Sequence, residues 1–125
     1  MTLKILAVDD SRTMRDMLRI SLTGAGMMVT TADDGVHGLE VLEDLQPDAI
    51  ISDVNMPRMD GFGFIEAVRK IDRLRATPIL MLTTESAPEL KARARNAGAT
   101  GWIVKPFDPQ KLVSSLQMVT GYEQA

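Results

Sequence analysis

The chain has 125 residues, a net charge of −3 and no cysteine. That excludes disulfides and thiolate metal centres and gives no electrostatic ground for binding nucleic acid or an anionic membrane. Hydrophobic residues make up 45% and charged residues 25%, the balance of one globular domain, here residues 1–125, with a core of its own. No apolar run approaches the ~20 residues of a membrane span. Asp9-Asp10 interrupts the apolar start too early for a secretion signal, so a cytoplasmic protein is expected, and nothing demands more than a monomer.

Residues 3–8, apolar except for Lys4, end in Asp9-Asp10 and read as a buried strand with acids at its exit. Ser11 is placed to cap the next helix by accepting from its free N–H groups. Met14, Leu18, Leu22 and Ala25 recur at helical spacing as the inner face, and Arg12, Arg15, Asp16 and Arg19 fall off it. Gly24 and Gly26 stop that helix, and residues 27–32 make a second strand. Asp33-Asp34-Gly35 turns into a helix with Val36, Leu39, Leu42 and Leu45 inward, closed by Pro47.

The central stretch, residues 48–61, reads D-A-I-I-S-D-V-N-M-P-R-M-D-G. A short β-branched run closes on one acid, Asp53, and a loop follows, signalled by Asn55, Pro57, Asp60 and Gly61. A strand buried on both faces has no reason to end in an acid unless that end opens on a site, and sites in parallel α/β sheets lie beyond the carboxyl ends of the strands. A helix is then expected from Gly61 to about Arg73, with Phe62, Ile65, Val68 and Ile71 inward. Pro78 opens a fourth strand, residues 79–82, ending in Thr83-Thr84. Ser86 as cap and Pro88 in the first turn start a helix with the stripe Leu90, Ala94 and Ala97, ended by Gly98. Residues 101–104 form a fifth strand ending in Lys105-Pro106, and Asp108-Pro109 starts a last helix with Leu112, Val113, Leu116 and Val119 inward.

Five strands alternating with five helices imply an α/β fold, a parallel sheet covered by helices on both faces. The strand exits then share one edge, so Asp9, Asp10, Asp53, Thr83 and Lys105 converge. Carboxylates ~4 Å apart repel by about 4 kcal/mol at an effective dielectric near 20, so one stays protonated or a cation offsets them. Oxygen donors without His or Cys suit a hard divalent ion, Mg2+. Lys105 supplies a point charge for phosphate oxygens and Thr83 a hydroxyl donor. An Asp beside such partners is equipped to receive a phosphoryl group.

These residues carry a resemblance. Asp9-Asp10, the S-D-V-N-M-P-x-M-D-G run with Asp53, Thr83 and the K-P-F of Lys105-Pro106-Phe107 resemble the receiver domain of two-component response regulators, and within it the CheY-like single-domain chemotaxis regulators. The match spans essentially the whole chain. It implies a flavodoxin-like (βα)5 doubly wound sheet of strand order 2-1-3-4-5. It implies that Asp53 accepts phosphate from a phosphohistidine on a CheA-like sensor histidine kinase. Asp10, Asp53 and the Asn55 backbone carbonyl would hold Mg2+, with Asp9 helping through water. Lys105 would pair with the phosphoryl group, and Thr83 would bond to it and shift. Lys105-Pro106 would be cis. Trp102, three residues before Lys105, stands where the family usually carries Tyr or Phe, the residue that turns inward with the threonine. Asn55 and Glu85 match the pair that accompanies short-lived phosphorylation. The implied output is a phosphorylation-controlled binding surface around Trp102 and the last two helices, acting on the flagellar motor switch, with a phosphatase as a further partner. The same chemistry also serves a phosphate sink or relay shuttle without motor binding. Either way the chain is a phospho-acceptor and not a dedicated enzyme.

Plainer readings stand beside these. Asp9-Asp10 alone is a capping turn, Thr83 alone a strand end and Lys105 alone a surface lysine; co-location gives them value. An aspartate-nucleophile phosphatase would carry D-x-D after the first strand, where this chain has Asp9-Asp10-Ser11, and no G-x-G-x-x-G or Walker loop follows any strand. His37, the one histidine, reads as solvated and without a partner. The nine methionines read mostly as core filler, with Met56 and Met59 on the site loop. Lys91, Arg93 and Arg95 read as a solvated face or part of a partner surface.

Overall fold

The computed structural model describes residues 2–121. The elements run β1 (Lys4–Val8), α1 (Arg12–Gly24), β2 (Met28–Ala32), α2 (Gly35–Leu42), β3 (Ala49–Ser52), α3 (Gly61–Arg69), a 3₁₀ turn (Asp72–Leu74), β4 (Ile79–Thr83), α4 (Pro88–Ala97), β5 (Gly101–Val104) and α5 (Pro109–Thr120). The five strands pair in parallel in the order β2-β1-β3-β4-β5, the flavodoxin-like arrangement expected.

Alternation along the central strands divides the core in two. Leu6 and Val8 of β1, Ile50 of β3, and Ile79 and Met81 of β4 point into one layer with Leu42, Phe64, Ile65 and Val68 of α2 and α3. Ile5, Ala7, Ala49, Ile51, Leu80 and Leu82 point the other way, onto Leu18 and Leu22 of α1 and Leu112 and Leu116 of α5. Each fully buried Leu or Ile stabilises the fold by roughly 1.5–3 kcal/mol.

Several local expectations change. α3 stops at Arg69, because Ile71 turns to extended backbone (φ −87°, ψ 115°) and Leu74 in the 3₁₀ turn takes the core position beneath it. Arg69 secures this bend, its guanidinium donating to the carbonyls of Leu74, Thr77 and Gly98 at 2.7–3.0 Å. Ser86 does not cap α4. Pro88 holds the residue before it in extended geometry, so the cap falls on Ala87, which has no side-chain acceptor. Ala25 is the exposed C-cap residue of α1 and not part of its inner face. Of the methionines, Met27 and Met81 are buried, but Met17, Met28 and Met118 are exposed; Met1 lies outside the described residues. Phe64 joins the core because Gly38 makes room: a Cβ there would lie 2.8 Å from its ring.

Candidate functional site

The strand exits meet at one edge. Asp9 N–H donates to the Ala32 carbonyl at 3.1 Å, Asp53 N–H to that of Val8 at 3.0 Å, and Lys105 N–H to that of Thr83 at 2.8 Å. These ladder bonds bring oxygens of Asp9, Asp10 and Asp53 within 4.8 Å of one another. Lys105 reaches in from β5, and its Nζ donates to Asp9 Oδ2 at 2.7 Å and to Asp53 Oδ2 at 3.1 Å. The side chain of Asp9 is 1% exposed, that of Lys105 10% and that of Asp53 11%, while Asp10 opens to solvent.

Asp9 and Asp53 are each fixed by a backbone donor. Ser11 N–H donates to Asp9 Oδ1 at 2.9 Å, and Val54 N–H to Asp53 Oδ1 at 2.7 Å. Ser11 also caps α1, its hydroxyl accepting from Met14 N–H at 3.2 Å. Burial pushes the Asp9 carboxyl above its ordinary range; its bonds from Lys105 and Ser11 offset only part of that. Burial alone would lower the Lys105 ammonium, but the hydrogen bond and charge of Asp9 and the charge of Asp53 outweigh it, and its pKa lies above the usual lysine value.

The other expected residues lie one step back. Thr83 is fully buried at the end of β4, and its hydroxyl accepts from Glu85 N–H at 3.3 Å and not from Lys105. Trp102 packs against the core layer of α2 and α3, with its indole N–H donating to the Glu85 carbonyl at 2.9 Å. Thr83 and Trp102 therefore hold the same short segment after β4. Asn55 is exposed in the loop that leaves Asp53, and Lys105-Pro106 is cis.

Three parts of the site were invisible in the linear pattern. Arg15, assigned only to an outer helix face, donates to the Asp9 carbonyl at 2.8 Å. Gly61, read as a loop signal, is packed so tightly that a Cβ would lie 2.2 Å from the Asp53 carbonyl oxygen; its own N–H donates to the Val54 carbonyl at 2.7 Å. Arg58 and Asp34, far apart in sequence, form a bidentate pair, Nε to Oδ2 at 2.7 Å and Nη2 to Oδ1 at 3.0 Å. One expectation is corrected nearby: His37 does have a partner, its Nδ1 lying 2.5 Å from Asp33 Oδ1. Arg93, assigned to a solvated face or partner surface, lies 4.1 Å above the ring centroid of Phe62. That ties α4 to α3 through a cation–π contact.

As a donor set, three clustered carboxylates without nitrogen or sulfur ligands fit a hard divalent cation such as Mg2+. The buried ammonium beside them fits an anion bound next to that cation. An α/β sheet whose carboxyl edge gathers three acids and one lysine defines a class, the doubly wound domains whose ligand sites lie at that edge.

Comparison with known proteins identifies the family. The response regulator receiver domain model matches residues 5–117, and the chain belongs to that family. It is 38% identical over 123 residues to chemotaxis protein CheY1 of Helicobacter pylori, covering 95% of this chain and 98% of that one. Among solved structures it is similar to chemotaxis protein CheY4 of Vibrio cholerae, with 50% identity, a TM-score of 0.92, and coverage of 95% of this chain and 99% of that one. It also resembles the receiver domain of sensor histidine kinase PA1611 from Pseudomonas aeruginosa, described with a magnesium ion in its active-site cleft, at 27% identity and a TM-score of 0.89, covering 97% and 99% of the two chains. Among the described residues no helix is long and apolar enough to cross a membrane.

Proposed function

We propose that this chain is a phosphorylation-controlled signalling module that receives a phosphoryl group on Asp53 and passes the change on through a binding surface. The observation that carries the reading is the bridge of Lys105 Nζ between Asp9 and Asp53 in a pocket holding three carboxylates. A lysine so placed lies between two of these acids, and it sits within reach of oxygens carried by Asp53.

In the proposed reaction an Asp53 carboxylate oxygen attacks the phosphorus of a phosphohistidine on a sensor histidine kinase. The new O–P bond forms as the P–N bond breaks, and the electron pair leaves with the imidazole nitrogen. Asp9, Asp10, Asp53 and the Asn55 carbonyl are the groups that would hold Mg2+, which when bound neutralises charge on the transferring oxygens. Lys105 moves from its carboxylate partners onto the phosphoryl oxygens, and the Thr83 hydroxyl turns from Glu85 toward them. Because Thr83 and Trp102 both grip the Glu85 segment, that turn alters the surface beside Trp102. A groove of about 350 Å³ lies there between β5 and α5, bordered by Trp102, Phe107, Lys111 and Leu112. The chemotaxis relatives favour the flagellar motor switch as the partner at this face, a CheA-like kinase as the donor and the cytoplasm as the setting. The phosphoryl group shifts this equilibrium only by its difference in interaction with the two states.

The test is incubation with acetyl phosphate and Mg2+, read by intact mass. One added phosphoryl group is expected on the wild type and none on Asp53→Asn. Equal labelling of the variant overturns the assignment.

A further inference from the structure

The loop between Asp53 and α3 carries a feature that its turn chemistry does not require. Arg58 adopts φ +64°, a left-handed conformation costly for a residue with a Cβ and usually given to glycine. Strain of this kind persists when surrounding contacts over-determine it. The contact here is the two-pronged pair with Asp34, whose side chain is 6% exposed. Asp34 is also the N-cap of α2, its Oδ1 accepting from His37 N–H at 2.9 Å. The hydrogen bond from Arg58 holds its carboxyl below the ordinary range.

The loop is therefore fixed at three points. Its base is closed by Gly61 N–H on the Val54 carbonyl. Its far side lies flat on the start of α2, where Gly35 N–H reaches the Met59 carbonyl at 3.4 Å and a Cβ on Gly35 would fall 2.8 Å from Met59 Cγ. Its tip is pinned by Arg58. Asn55 lies between base and tip, exposed and without a side-chain hydrogen bond of its own among the described residues. Its backbone has little to hold it except these anchors.

We propose that Arg58 and Asp34 form a clamp that sets the Asn55 carbonyl in position for the divalent cation, making Arg58 a positioning residue for phosphoryl transfer. The inference rests on the metal-assisted reading of the acid pocket. It deepens that reading by naming what aims the one ligand not carried by a strand end. A guanidinium fork against a carboxylate fixes both distance and plane, which an ammonium cannot do.

The test is calorimetric Mg2+ titration of the full chain, at a temperature where circular dichroism shows every variant folded. Arg58→Gly removes the clamp and also the left-handed strain, so the fold survives the change. Outer-shell supports are worth about tenfold or more in metal affinity, and about a tenfold rise in the Mg2+ dissociation constant is expected. Arg58→Lys should recover little of it. Asp34→Asn, which still caps α2, should match Arg58→Gly, and the double variant should add nothing further. Wild-type affinity in Arg58→Gly overturns the clamp, as does an equal loss in Leu22→Ala, which loosens the opposite core layer without touching the loop. Absence of Mg2+ binding in the wild type, unchanged in Asp10→Asn, overturns the metal reading itself and is told apart by that arm.

Discussion

The two halves of the site edge are built differently. On the side of β1, β2 and β3, Asp9 and Asp53 are each held from more than one direction. Asp9 is fixed by Ser11, Lys105 and, through its carbonyl, Arg15. Asp53 is fixed by Val54, Lys105 and the packing of Gly61, and the loop beyond it by Arg58 on Asp34. On the side of β4 and β5 the bracing thins. β5 is an edge strand with no fully buried residue, Val104 is 41% exposed, and one segment around Glu85 is shared between a long bond to Thr83 and one bond from Trp102. A reaction centre needs fixed distances, whereas a responding surface must have two arrangements of similar free energy. The proposed acceptor site falls at the exits of β1 and β3, buried along most of their length, and the proposed output surface falls toward the exposed edge strand β5.

This contrast is open to breaking. The largest effect is expected from Gly61→Ala on the braced side. Its Cβ would meet the Asp53 carbonyl at 2.2 Å and Met81 Cε at 2.7 Å. The backbone contact cannot yield as a side-chain tip can, so a loss of about 3 kcal/mol is expected in urea unfolding, together with loss of phosphoryl acceptance. On the loose side, Trp102→Phe removes one hydrogen-bond donor and keeps an aromatic ring. It should reduce stability by only about 1 kcal/mol and leave acetyl phosphate labelling at the wild-type level, while changing affinity for the output partner. Labelling that falls as steeply as in Gly61→Ala would erase the distinction between the halves.

The smallest effect is a change in acid sensitivity. Asp34 has a folded pKa held below its ordinary value of 3.8 by the hydrogen bond from Arg58. Its contribution to stability is thus complete above 3.8 and is lost as pH falls through the lower folded value. In Arg58→Gly the Asp34 carboxyl moves back toward 3.8, so the variant should lose less stability than the wild type across that window. Asp33, His37 and Glu40 lie beside the pair in both proteins, and the difference between the two melts isolates Asp34.

The difference between the halves also explains what could be read in the sequence. The order of elements followed from apolar periodicity, because the central strands β1, β3 and β4 are buried almost throughout and each helix buries one face. The strand-end residues followed from topology: once the sheet is parallel, Asp9, Asp53, Thr83 and Lys105 have nowhere else to go. Pairings between distant loops did not follow. Nothing in the run M-P-R-M-D-G signals that Arg58 will reach Asp34 twenty-four positions earlier, and nothing near His37 distinguishes a solvated ring from one resting on Asp33. The early end of α3 escaped for a similar reason. Ile71 continues the helical spacing, and the bend is fixed by Arg69 reaching carbonyls on segments that lie later in the chain.

The central claim is tested most directly by locating the phosphoryl group itself. After reaction with acetyl phosphate and Mg2+, borohydride reduces an acyl phosphate to the alcohol, turning the modified aspartate into homoserine, which peptide mass spectrometry then places. Homoserine at position 53 and at no other aspartate is the expected result. Reduction at Asp9 or Asp10, or an unmodified Asp53 in fully folded protein, would contradict it.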